Sequence, residues 1–457
     1  MNNHESALET VEPRSNNRRL VLFPLPFQGH INPMLQLASI LYTKGFKIII
    51  IHTDFNSPNQ SNYPQFTFRS ISDGLSKSKD GSLNLETTNH AINFMNKSCI
   101  EPFTVCLAKL LEVEPVTCLI SDALWYFTQS VADSLKLKRI VIRTSSMSCI
   151  PVYEAFVVGE KSYFKTAIKE ELALMTEKDI EKVYKGGSEK GKEELICNMI
   201  KETKAASGII FNTFKELEEP AFLAISQDFQ IPSFPIGPFH KYFPASSSSL
   251  LEQDRSSILW LDKQPVSSVV YVSFGSIAQM GEAEFTEMAW GLANSKQRFL
   301  WVVRPGSVSG SQWLESLPKG FKEEVGERGC IVKWAPQQEV LAHQAIGCFW
   351  THNGWNSTLE SICEGVPMIC SPCSYDQPIN ARYATDVWKI GVMMDKKMKR
   401  EETGISIKCI MEKEGSEMRE RSKSLQEKVN QSMQKGGSAY QSLDDLVDCI
   451  LSFSCVM

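Results

Sequence analysis

The sequence predicts an α/β fold made of two domains, and three observations lead to that prediction. The chain has 457 residues, which is more than one hydrophobic core usually organises. Short continuous apolar runs alternate with segments of helical periodicity, as in parallel sheets that helices cover on both faces. A proline- and serine-rich segment over residues 231–249 interrupts that alternation once. Two domains with a cleft between them are therefore expected.

The predicted strands form two groups, one on each side of the interruption. The first group is RLVLFPLP, FKIIIIHT, FTFRSI, TCLISD, RIVIRT and GIIFNT. The second group is SVVYVSFGS, FLWVVRP, CIVKWA, IGCFWTH, VPMICSP and IGVMMD. The last stretch, GGSAYQSLDDLVDCILSF, has apolar residues at helical spacing and is expected to form an amphipathic helix.

These patterns divide the chain into five parts. We expect a disordered N-terminus over residues 1–18, an N-terminal domain over 19–240, a linker over 241–253 and a C-terminal domain over 254–439. The terminal helix, over residues 440–457, is expected to pack back on the N-terminal domain.

The composition is that of an ordinary globular protein, with 42% hydrophobic and 22% charged residues. The formal net charge of −5 argues against a nucleic-acid partner. The first residues lack the apolar core of a secretory signal, and no later stretch reaches the length of a membrane span. The 13 cysteines are an odd number scattered through predicted strands, which indicates reduced core thiols. A cytoplasmic protein, acting as a monomer, is expected.

Two short patterns invite a metal interpretation, and neither is favoured. The DDLVD sequence is similar to the carboxylate pair that binds magnesium diphosphate in prenyl-transferring enzymes, but it occurs once, on the solvated face of the terminal helix. Cys370 and Cys373 form a CxxC without a partner pair, with Pro372 between them. We therefore expect no metal site. No Gly-x-Gly-x-x-Gly, Walker lysine loop or Gly-x-Ser-x-Gly elbow is present either.

The first candidate catalytic residue is His30. The first strand ends at Pro26, Asn32 is a suitable helix N-cap, and Pro33 suits the first helical position. His30 is therefore expected in a loop between a strand and a helix, where open α/β sheets place ligand chemistry. From its position alone, His30 is equally well explained as a catalytic residue and as a hydrogen-bonded histidine of the surface or core.

Asp122 is the candidate partner of His30, because it ends another apolar strand of the same predicted sheet. If the two strands are close, the carboxylate can accept a hydrogen bond from one imidazole nitrogen. That bond raises the basicity of the ring and leaves the other nitrogen to take a proton. Asp122 could also cap the helix that follows it, and both roles are compatible.

The second candidate site lies between Trp334 and Gln377. After the strand IGCFWTH, the chain turns at Asn353-Gly354 and enters a helix whose first residues are WNS. A helix N-terminus offers unpaired N–H groups and a positive dipole, and His352, Asn356 and Ser357 add side-chain donors. Such a place can bind a diphosphate.

Four further residues of this stretch match the other parts of a nucleotide sugar. The indole of Trp334 can stack on a planar base, and Glu360 can accept hydrogen bonds from ribose hydroxyls. The carboxylate of Asp376 and the amide of Gln377 suit the hydroxyl groups of a hexose.

This stretch resembles the donor-binding signature of the plant UDP-sugar-dependent glycosyltransferases of family 1. The matching pattern is W-x-P-Q, then H-x-A-x-G-x-F-x-T-H-x-G-W-N-S, then E-x-x-x-x-G-V-P-M and a final D-Q. FPLPFQGHINPM, SDALWYF, VVYVSFGS and WLDKQP extend the resemblance over nearly the whole chain. It implies two facing Rossmann-like domains, the GT-B fold, with the active site in the cleft.

The resemblance also implies a role for each donor-site residue. Trp334 would stack on uracil, the backbone of Ala335 and the side chain of Gln337 would contact uridine, and Glu360 would hold the ribose. The residues implied near the diphosphate are Ser276, His352, Asn356 and Ser357, and those near the sugar are Trp355, Asp376 and Gln377. Gly354 is a further implied donor-binding residue. Some family members that transfer galactose have a histidine at the position of Gln377, so the glutamine implies glucose as the sugar.

His30 and Asp122 coincide with the family's catalytic pair. The implied reaction is a direct inverting displacement, in which His30 deprotonates the acceptor and Asp122 orients the imidazole. A β-glucoside or a glucose ester would result. The donors around the leaving diphosphate would serve in place of a metal ion, so UDP-glucose would be a co-substrate and no cofactor is expected.

The acceptor is implied only as a class. DFNSPNQSNYP, GPFH and ASSSSLL resemble the subgroup with glucosyltransferases for cytokinins, steviol glycosides and small acids such as salicylate. A small lipophilic plant metabolite with a hydroxyl or carboxyl group is therefore expected. The candidate acceptor-binding residues are Phe27, Trp125, Tyr126, Ser146, Met147 and Tyr375, and ordinary packing is the alternative for each. Segment 159–192 departs from the family pattern, and it would border the acceptor pocket.

Two alternatives remain open from the sequence. The chain could bind a nucleotide sugar or a metabolite without catalysis, although the presence of both His30 and Asp122 opposes this interpretation. It could also use another UDP-sugar, such as UDP-xylose or UDP-rhamnose, with the same chemistry.

Overall fold

The fold consists of two parallel β-sheets with helices on both faces of each sheet. It is known from a computed structural model that describes residues 17–75, 85–158, 174–176, 178–179, 183, 189–243, 251–276, 278–310, 313–394, 399–412 and 415–457. The predicted two-domain α/β architecture is confirmed. Most of the expected disordered N-terminus and most of segment 159–192 lie outside the described residues.

In the described part of the chain, the N-terminal sheet has seven parallel strands in the order β3-β2-β1-β4-β5-β6-β7. The chain order reverses between β1 and β4, so their carboxyl ends flank the crevice where open α/β sheets bind ligands. The strands are β1 Arg19–Phe23, β2 Lys47–Thr53, β3 Thr67–Ile71, β4 Cys118–Asp122, β5 Lys138–Arg143, β6 Ile209–Phe211 and β7 Ser233–Pro235.

The edge strand β7 corrects the interpretation of residues 231–249 as turns only. Its residue Ser233 pairs with Ile209 of β6, and Phe234 is buried in the core below β1. Because Pro235 has no N–H, it is tolerated at a sheet edge, where one side of the strand has no neighbour. The N-terminal sheet therefore extends into the proline-rich segment.

The C-terminal sheet repeats the same topology, with six parallel strands among the described residues, in the order β10-β9-β8-β11-β12-β13. The reversal falls here between β8 and β11. The strands are β8 Val269–Ser273, β9 Arg298–Val302, β10 Gly329–Val332, β11 Ile346–Thr351, β12 Met368–Cys370 and β13 Gly391–Met393.

The α-helices cover both sheets and connect their parallel strands. Those of the N-terminal half are Gln28–Thr43, Leu85–Ser98, Ile100–Val113, Thr128–Ser134, Cys149–Val158, Glu189–Lys204 and Glu219–Asp228. Those that follow are Ser256–Leu261, Glu282–Ser295, Phe321–Val325, Gln337–Ala342, Trp355–Cys363, Gln377–Arg382, Arg400–Met411, Ser416–Met433 and Ser438–Ser452. Within the described ranges, no helix has the length and apolar character needed to cross a membrane.

The terminal helix Ser438–Ser452 lies against the N-terminal sheet. Leu443, Leu446 and Ile450 are buried in one cluster with residues of β1 and β2. Beyond the helix, Val456 exchanges backbone hydrogen bonds with Val116, and Arg18 Nη1 donates to the carbonyl oxygen of Phe453 over 2.8 Å. The chain end therefore joins the domain in which the chain begins.

The cysteines are all free thiols, and six of them are buried. Desolvation raises the pKa of the buried Cys370 thiol to about 12, so it remains protonated at neutral pH. Among the described residues, no group of three or more His, Cys, Asp or Glu side chains could hold a metal ion.

Candidate active site

A cleft with a cavity of about 350 Å³ separates the carboxyl edges of the two sheets. Both halves of the chain line it. From the N-terminal half, the cavity is lined by His30 and Phe27 among the predicted residues. From the C-terminal half, it is lined by Tyr375 and by every predicted donor residue, namely Ser276, Trp334, Ala335, Gln337, His352, Gly354, Trp355, Asn356, Ser357, Glu360, Asp376 and Gln377.

His30 and Asp122 form a direct contact at the reversal point of the N-terminal sheet. His30 Nδ1 lies 2.7 Å from Asp122 Oδ2. The Asp122 side chain is 2% exposed, whereas that of His30 is 24% exposed. Leu124 N donates to the other carboxylate oxygen, Asp122 Oδ1, over 3.0 Å. The carboxylate is therefore fixed from two sides, and the imidazole extends from it toward the cavity.

The helix that carries His30 begins earlier than the sequence predicted. It starts at Gln28 with Phe27 as its N-cap, so Asn32 is not the cap and Pro33 lies inside the helix. His30 therefore sits in the first helical turn, where its N–H donates to the carbonyl oxygen of Phe27 over 2.8 Å. This placement holds the histidine more rigidly than a loop would.

Thr144 is a third member of this cluster, which the sequence reasoning did not include. Its Oγ1 lies 2.9 Å from His30 Nδ1. Thr144 directly follows β5, which pairs with β4 beside Asp122. The rule that ligand chemistry collects at carboxyl strand ends could have found it.

The helix Trp355–Cys363 presents its N-terminus to the cavity, with Gly354 as its N-cap. His352 lies just before it, packed closely by two glycines. A Cβ atom at Gly275 or Gly354 would lie 2.7 or 2.6 Å from His352 Nε2. Desolvation lowers the pKa of His352 to about 4, so the ring is neutral at pH 7. This end of the cavity offers neutral donors and a helix dipole.

Gln337, Ser357 and Glu360 form a hydrogen-bonded group beside that helix N-terminus. Gln337 Nε2 donates to Ser357 Oγ over 2.9 Å and to Glu360 Oε2 over 2.7 Å. Gln338 Nε2 donates to Glu360 Oε1 over 3.0 Å. Desolvation raises the pKa of Glu360. Trp334 packs against the C-terminal core close to this group, and Ala335 is buried.

Asp376 and Gln377 lie at the start of the helix Gln377–Arg382. Gln377 Oε1 accepts hydrogen bonds from the backbone N–H groups of Cys373 and Ser374, over 2.9 and 3.1 Å. Asp376 Oδ2 accepts from Asn380 Nδ2 over 3.0 Å, and desolvation raises the pKa of Asp376. Both side chains are thus held in place by their neighbours.

Trp355 and Asn356 reach across to the N-terminal domain. Trp355 Nε1 donates to the carbonyl oxygen of Asn212 over 2.8 Å, and Asn356 Nδ2 donates to that of Gly29 over 3.0 Å. These residues were predicted for sugar and diphosphate binding, and they also join the two walls of the cleft.

Four of the six candidate acceptor residues do not line the cavity. Trp125 is fully buried and donates through Nε1 to the carbonyl oxygen of Pro24. Tyr126 packs against the same cluster, Met147 is fully buried below β6, and Ser146 Oγ contacts Cys149 Sγ. Those four side chains therefore contribute to packing, and of the six candidates Phe27 and Tyr375 line the cavity.

Several lining residues on the acceptor side were not predicted. They come from the helix Leu85–Ser98, from the carboxyl ends of β4 and β5, and from the helices Cys149–Val158 and Glu189–Lys204. They are Thr88, Asn89, Ile92, Leu124, Arg143, Thr144, Ser145, Tyr153, Lys192, Leu195, Ile196 and Met199. Helical periodicity gives no sign of which face of a helix meets a cavity. Arg143 and Thr144 alone carried a signal, as residues at a strand end.

Comparison with known proteins agrees with this geometry. The family model described as UDP-glucoronosyl and UDP-glucosyl transferase matches residues 42–419. The chain is 49% identical to UDP-glycosyltransferase 76G1 of Stevia rebaudiana over 465 residues, covering 98% of this chain and 100% of the relative. It is 46% identical to UDP-glycosyltransferase 76B1 of Arabidopsis thaliana, covering 97% and 100%.

Solved structures share the fold. Os79 from O. sativa, in complex with U2F and trichothecene, superposes with a TM-score of 0.80 at 26% identity, covering 94% of this chain and 100% of Os79. Medicago truncatula UGT71G1, complexed with UDP-glucose, gives a TM-score of 0.78 at 24% identity, covering 95% and 98%.

These matches define the class of protein: the two sheets and the cleft between them are those of a GT-B glycosyltransferase. The chain belongs to the UDP-glucoronosyl and UDP-glucosyl transferase family, within the plant family 1 glycosyltransferases that the sequence resembled.

Proposed function

We propose that this enzyme transfers glucose from UDP-glucose to a hydroxyl or carboxyl group of a small lipophilic acceptor, with inversion at the anomeric carbon. The observation that carries the proposal is the 2.7 Å contact between His30 Nδ1 and Asp122 Oδ2 beside the donor-binding half of the cavity. A buried carboxylate on one imidazole nitrogen is the arrangement that a histidine base requires.

The proton moves from the acceptor to His30. Asp122 accepts the hydrogen bond of Nδ1–H, which fixes the tautomer and leaves Nε2 to take the acceptor proton. The acceptor oxygen forms a bond to the anomeric carbon as the bond from that carbon to the diphosphate oxygen breaks. The electron pair of the broken bond leaves on UDP, and a β-glucoside or β-glucose ester forms.

Neutral donors stabilise the negative charge that develops on the leaving UDP. His352, Ser357 and the N–H groups at the start of the helix Trp355–Cys363 face the cavity together with Ser276. Fixed dipoles of this kind stabilise charge without reorganising during the reaction. We propose that they take the part of a metal ion, and that UDP-glucose is the only co-substrate.

The remaining donor residues orient the nucleoside and the sugar. Trp334 stacks on uracil beside Ala335 and Gln337, and Glu360 accepts hydrogen bonds from the ribose hydroxyls. Because backbone amides occupy Gln377 Oε1, its NH2 group remains to donate to a sugar hydroxyl. Asp376 accepts from neighbouring hydroxyls, and this pair favours glucose.

The test is UDP release, corrected for hydrolysis, with UDP-glucose and a panel of phenolic, terpenoid and hydroxy-acid acceptors. His30→Ala is expected to lower kcat/KM for hydroxyl acceptors by about 10²- to 10⁴-fold. The matched control is His343→Ala, which removes a histidine that contacts Asp262 on the surface over 3.2 Å. Unchanged turnover in His30→Ala would remove His30 from the base role.

Two further outcomes separate the alternatives. Tight UDP-glucose binding without transfer to any acceptor, and without slow hydrolysis, would favour a nucleotide-sugar-binding protein. Faster turnover with UDP-xylose, UDP-rhamnose or UDP-galactose than with UDP-glucose would overturn the proposed sugar while leaving the chemistry in place.

A further inference from the structure

Arg143 is a buried cation at the acceptor side of the cavity that has no oxygen partner among the described residues. It ends β5, lines the cavity and is 6% exposed. Its Nε atom is buried without a hydrogen-bond partner. Its Nη1 atom lies 2.6 Å from Met199 Sδ, and thioether sulfur is a weak acceptor. The ring of Tyr153 lies 5.8 Å from the guanidinium carbon.

Arg139, on the same strand, shows how the fold satisfies a structural arginine. It is 1% exposed. Its guanidinium donates to the oxygens of Ser121 and Gln129 and to the carbonyl oxygen of Glu202, over 2.8, 3.2 and 2.9 Å. The strand therefore buries two arginines that differ in their hydrogen bonding. Arg139 donates to several oxygen acceptors, whereas Arg143 donates to none among the described residues.

No carboxylate of the described residues forms an ion pair with Arg143. Glu154 pairs with Lys204, and Asp376 accepts from Asn380. The charge of Arg143 acts on Asp376, lowering the pKa that desolvation raises, but the two side chains form no ion pair in the described part of the chain. The carboxylate of Glu218 accepts from the backbone and hydroxyl of Ser148.

A second cation lines the same side of the cavity. Lys192 is 4% exposed, and its ammonium lies 5.1 Å from the centre of the Tyr375 ring. Desolvation lowers the pKa of Lys192 to about 8. Arg143 and Lys192 stand among apolar neighbours such as Ile196 and Leu195. The acceptor side is thus apolar in bulk and positive in charge.

Burying a charged group without a counter-ion is unfavourable, and a ligand that enters the cavity can supply that counter-ion. A guanidinium is the group best shaped to bind a carboxylate, which it can contact through two parallel hydrogen bonds. We propose that Arg143 binds a carboxylate of the acceptor, so that the acceptor is a small acid whose carboxylate is separate from the hydroxyl that receives glucose. This inference rests on the proposed function.

The position of Arg143 fits that role. The next residue, Thr144, contacts His30 Nδ1 over 2.9 Å, so the anion site adjoins the residue that contacts the base. An acceptor with its carboxylate on Arg143 therefore has its apolar body in the cavity and its hydroxyl near His30. Arg143 becomes a specificity-determining residue.

The experiment compares matched acids and primary amides of the same skeleton. The probes are benzoate, phenylacetate, 3-phenylpropionate and decanoate with their amides, titrated calorimetrically into the enzyme–UDP complex. Hydroxylated pairs, such as 4-hydroxyphenylacetate and its amide, are compared by kcat/KM with UDP-glucose. At least one acid is expected to bind tenfold or more tightly than its amide, and the hydroxylated acid of that skeleton is expected to be the better substrate by a similar factor.

Arg143→Gln is expected to abolish the preference for acids, to leave binding of the amides within twofold, and to leave the affinity for UDP unchanged. Arg143→Lys is expected to restore part of the preference. Arg328→Gln, which removes a half-buried cation that does not line the cavity, is expected to change neither quantity.

Three results would overturn the inference. The first is that no acid in the panel binds better than its amide. The second is that Arg143→Gln weakens the binding of acids and amides alike. The third is that Arg143→Gln mainly weakens the binding of UDP, which would assign the guanidinium to the donor. If amides are glucosylated as well as acids, the inference fails and the proposed function stands. If no acceptor of either kind is glucosylated, the proposed function itself fails.

Discussion

Asn356 Nδ2 donates a hydrogen bond to the carbonyl oxygen of Gly29 across the cleft, over 3.0 Å. In the helix Gln28–Thr43, that carbonyl would ordinarily accept from the N–H of residue 33, which is proline and has none. The amide of Asn356 therefore supplies the bond that Pro33 removes, one residue before His30. The donor-side helix and the helix of the base are coupled at this point.

Asn356→Ala is expected to leave the Gly29 carbonyl unsatisfied, at a cost of about 1–3 kcal/mol. The position of His30 relative to the sugar then becomes less defined, so kcat falls together with the thermal midpoint. Steady-state kinetics and thermal unfolding measure the two effects.

Pro33→Ala tests the same interaction from the other side, because alanine restores the N–H that can donate to the Gly29 carbonyl within the helix. In the Pro33→Ala background, Asn356→Ala should cost less stability than it does in the parent chain, giving a coupling free energy in a double-mutant cycle. Strictly additive effects would show that the interdomain bond does not compensate for the proline.

Gly275→Ala is expected to weaken UDP binding through His352. Gly275 has φ +70°, and its Cβ would lie 2.7 Å from the His352 ring. Gly306 is the matched control, since it has φ +73° and a Cβ added there would meet no atom within 4 Å. Both variants should lose about 1 kcal/mol of stability from backbone strain. Calorimetry should show a higher Kd for UDP in Gly275→Ala alone, and equal Kd values in the two variants would contradict the steric role.

The strands that the sequence predicted were those with continuous apolar runs, such as the one that becomes β11. That signal is local, because a strand buried on both faces needs apolar side chains at every position. The strand β7 gave no such signal, since three residues ending in Pro235 are too few to show a pattern. Its formation depends on the neighbouring β6 and on the burial of Phe234.

The helix start at Gln28 shows a second limit. Local rules place Pro33 in the first turn, because proline inside a helix leaves a carbonyl without its partner. Here the partner is Asn356, which is 327 residues away in the chain. No local rule contains that information. For the same reason, Trp125 and Met147 could not be assigned to core or cavity before the packing was known.

Glu360 should make nucleoside binding dependent on pH. Desolvation raises the pKa of Glu360, so its protonated form becomes populated at a higher pH than for an ordinary glutamate. Protonation removes an acceptor for the ribose hydroxyls, so the Kd of uridine should rise as pH falls toward the raised pKa. Uridine is the probe because it carries no titrating phosphate.

Glu360→Gln should bind uridine more weakly at pH 7.5, by about tenfold, and should show a flat pH profile. The control is Glu364→Gln, one turn further along, which removes a carboxylate that pairs with Lys241 over 2.8 Å. A Glu360→Gln profile with the slope of the parent enzyme would place the titrating group elsewhere.

Acid should destabilise the protein through histidines that the fold keeps neutral. Burial lowers the pKa of His240 to about 3, with Lys241 contributing, and lowers that of His352 to about 4. In the unfolded chain the pKa of both histidines is about 6.5. As pH falls below that value, the unfolded state binds protons that the folded state does not, so the free energy of unfolding decreases. Above that pH the full stability is present.

Urea unfolding at pH 7.5 and 5.0 measures the effect. Between these two pH values, His240→Leu should lose less free energy of unfolding than the parent chain, by at most about 2 kcal/mol. His343→Ala, which removes a half-buried histidine that contacts Asp262, serves as the control. An equal loss in His240→Leu and the parent would exclude His240 from the effect.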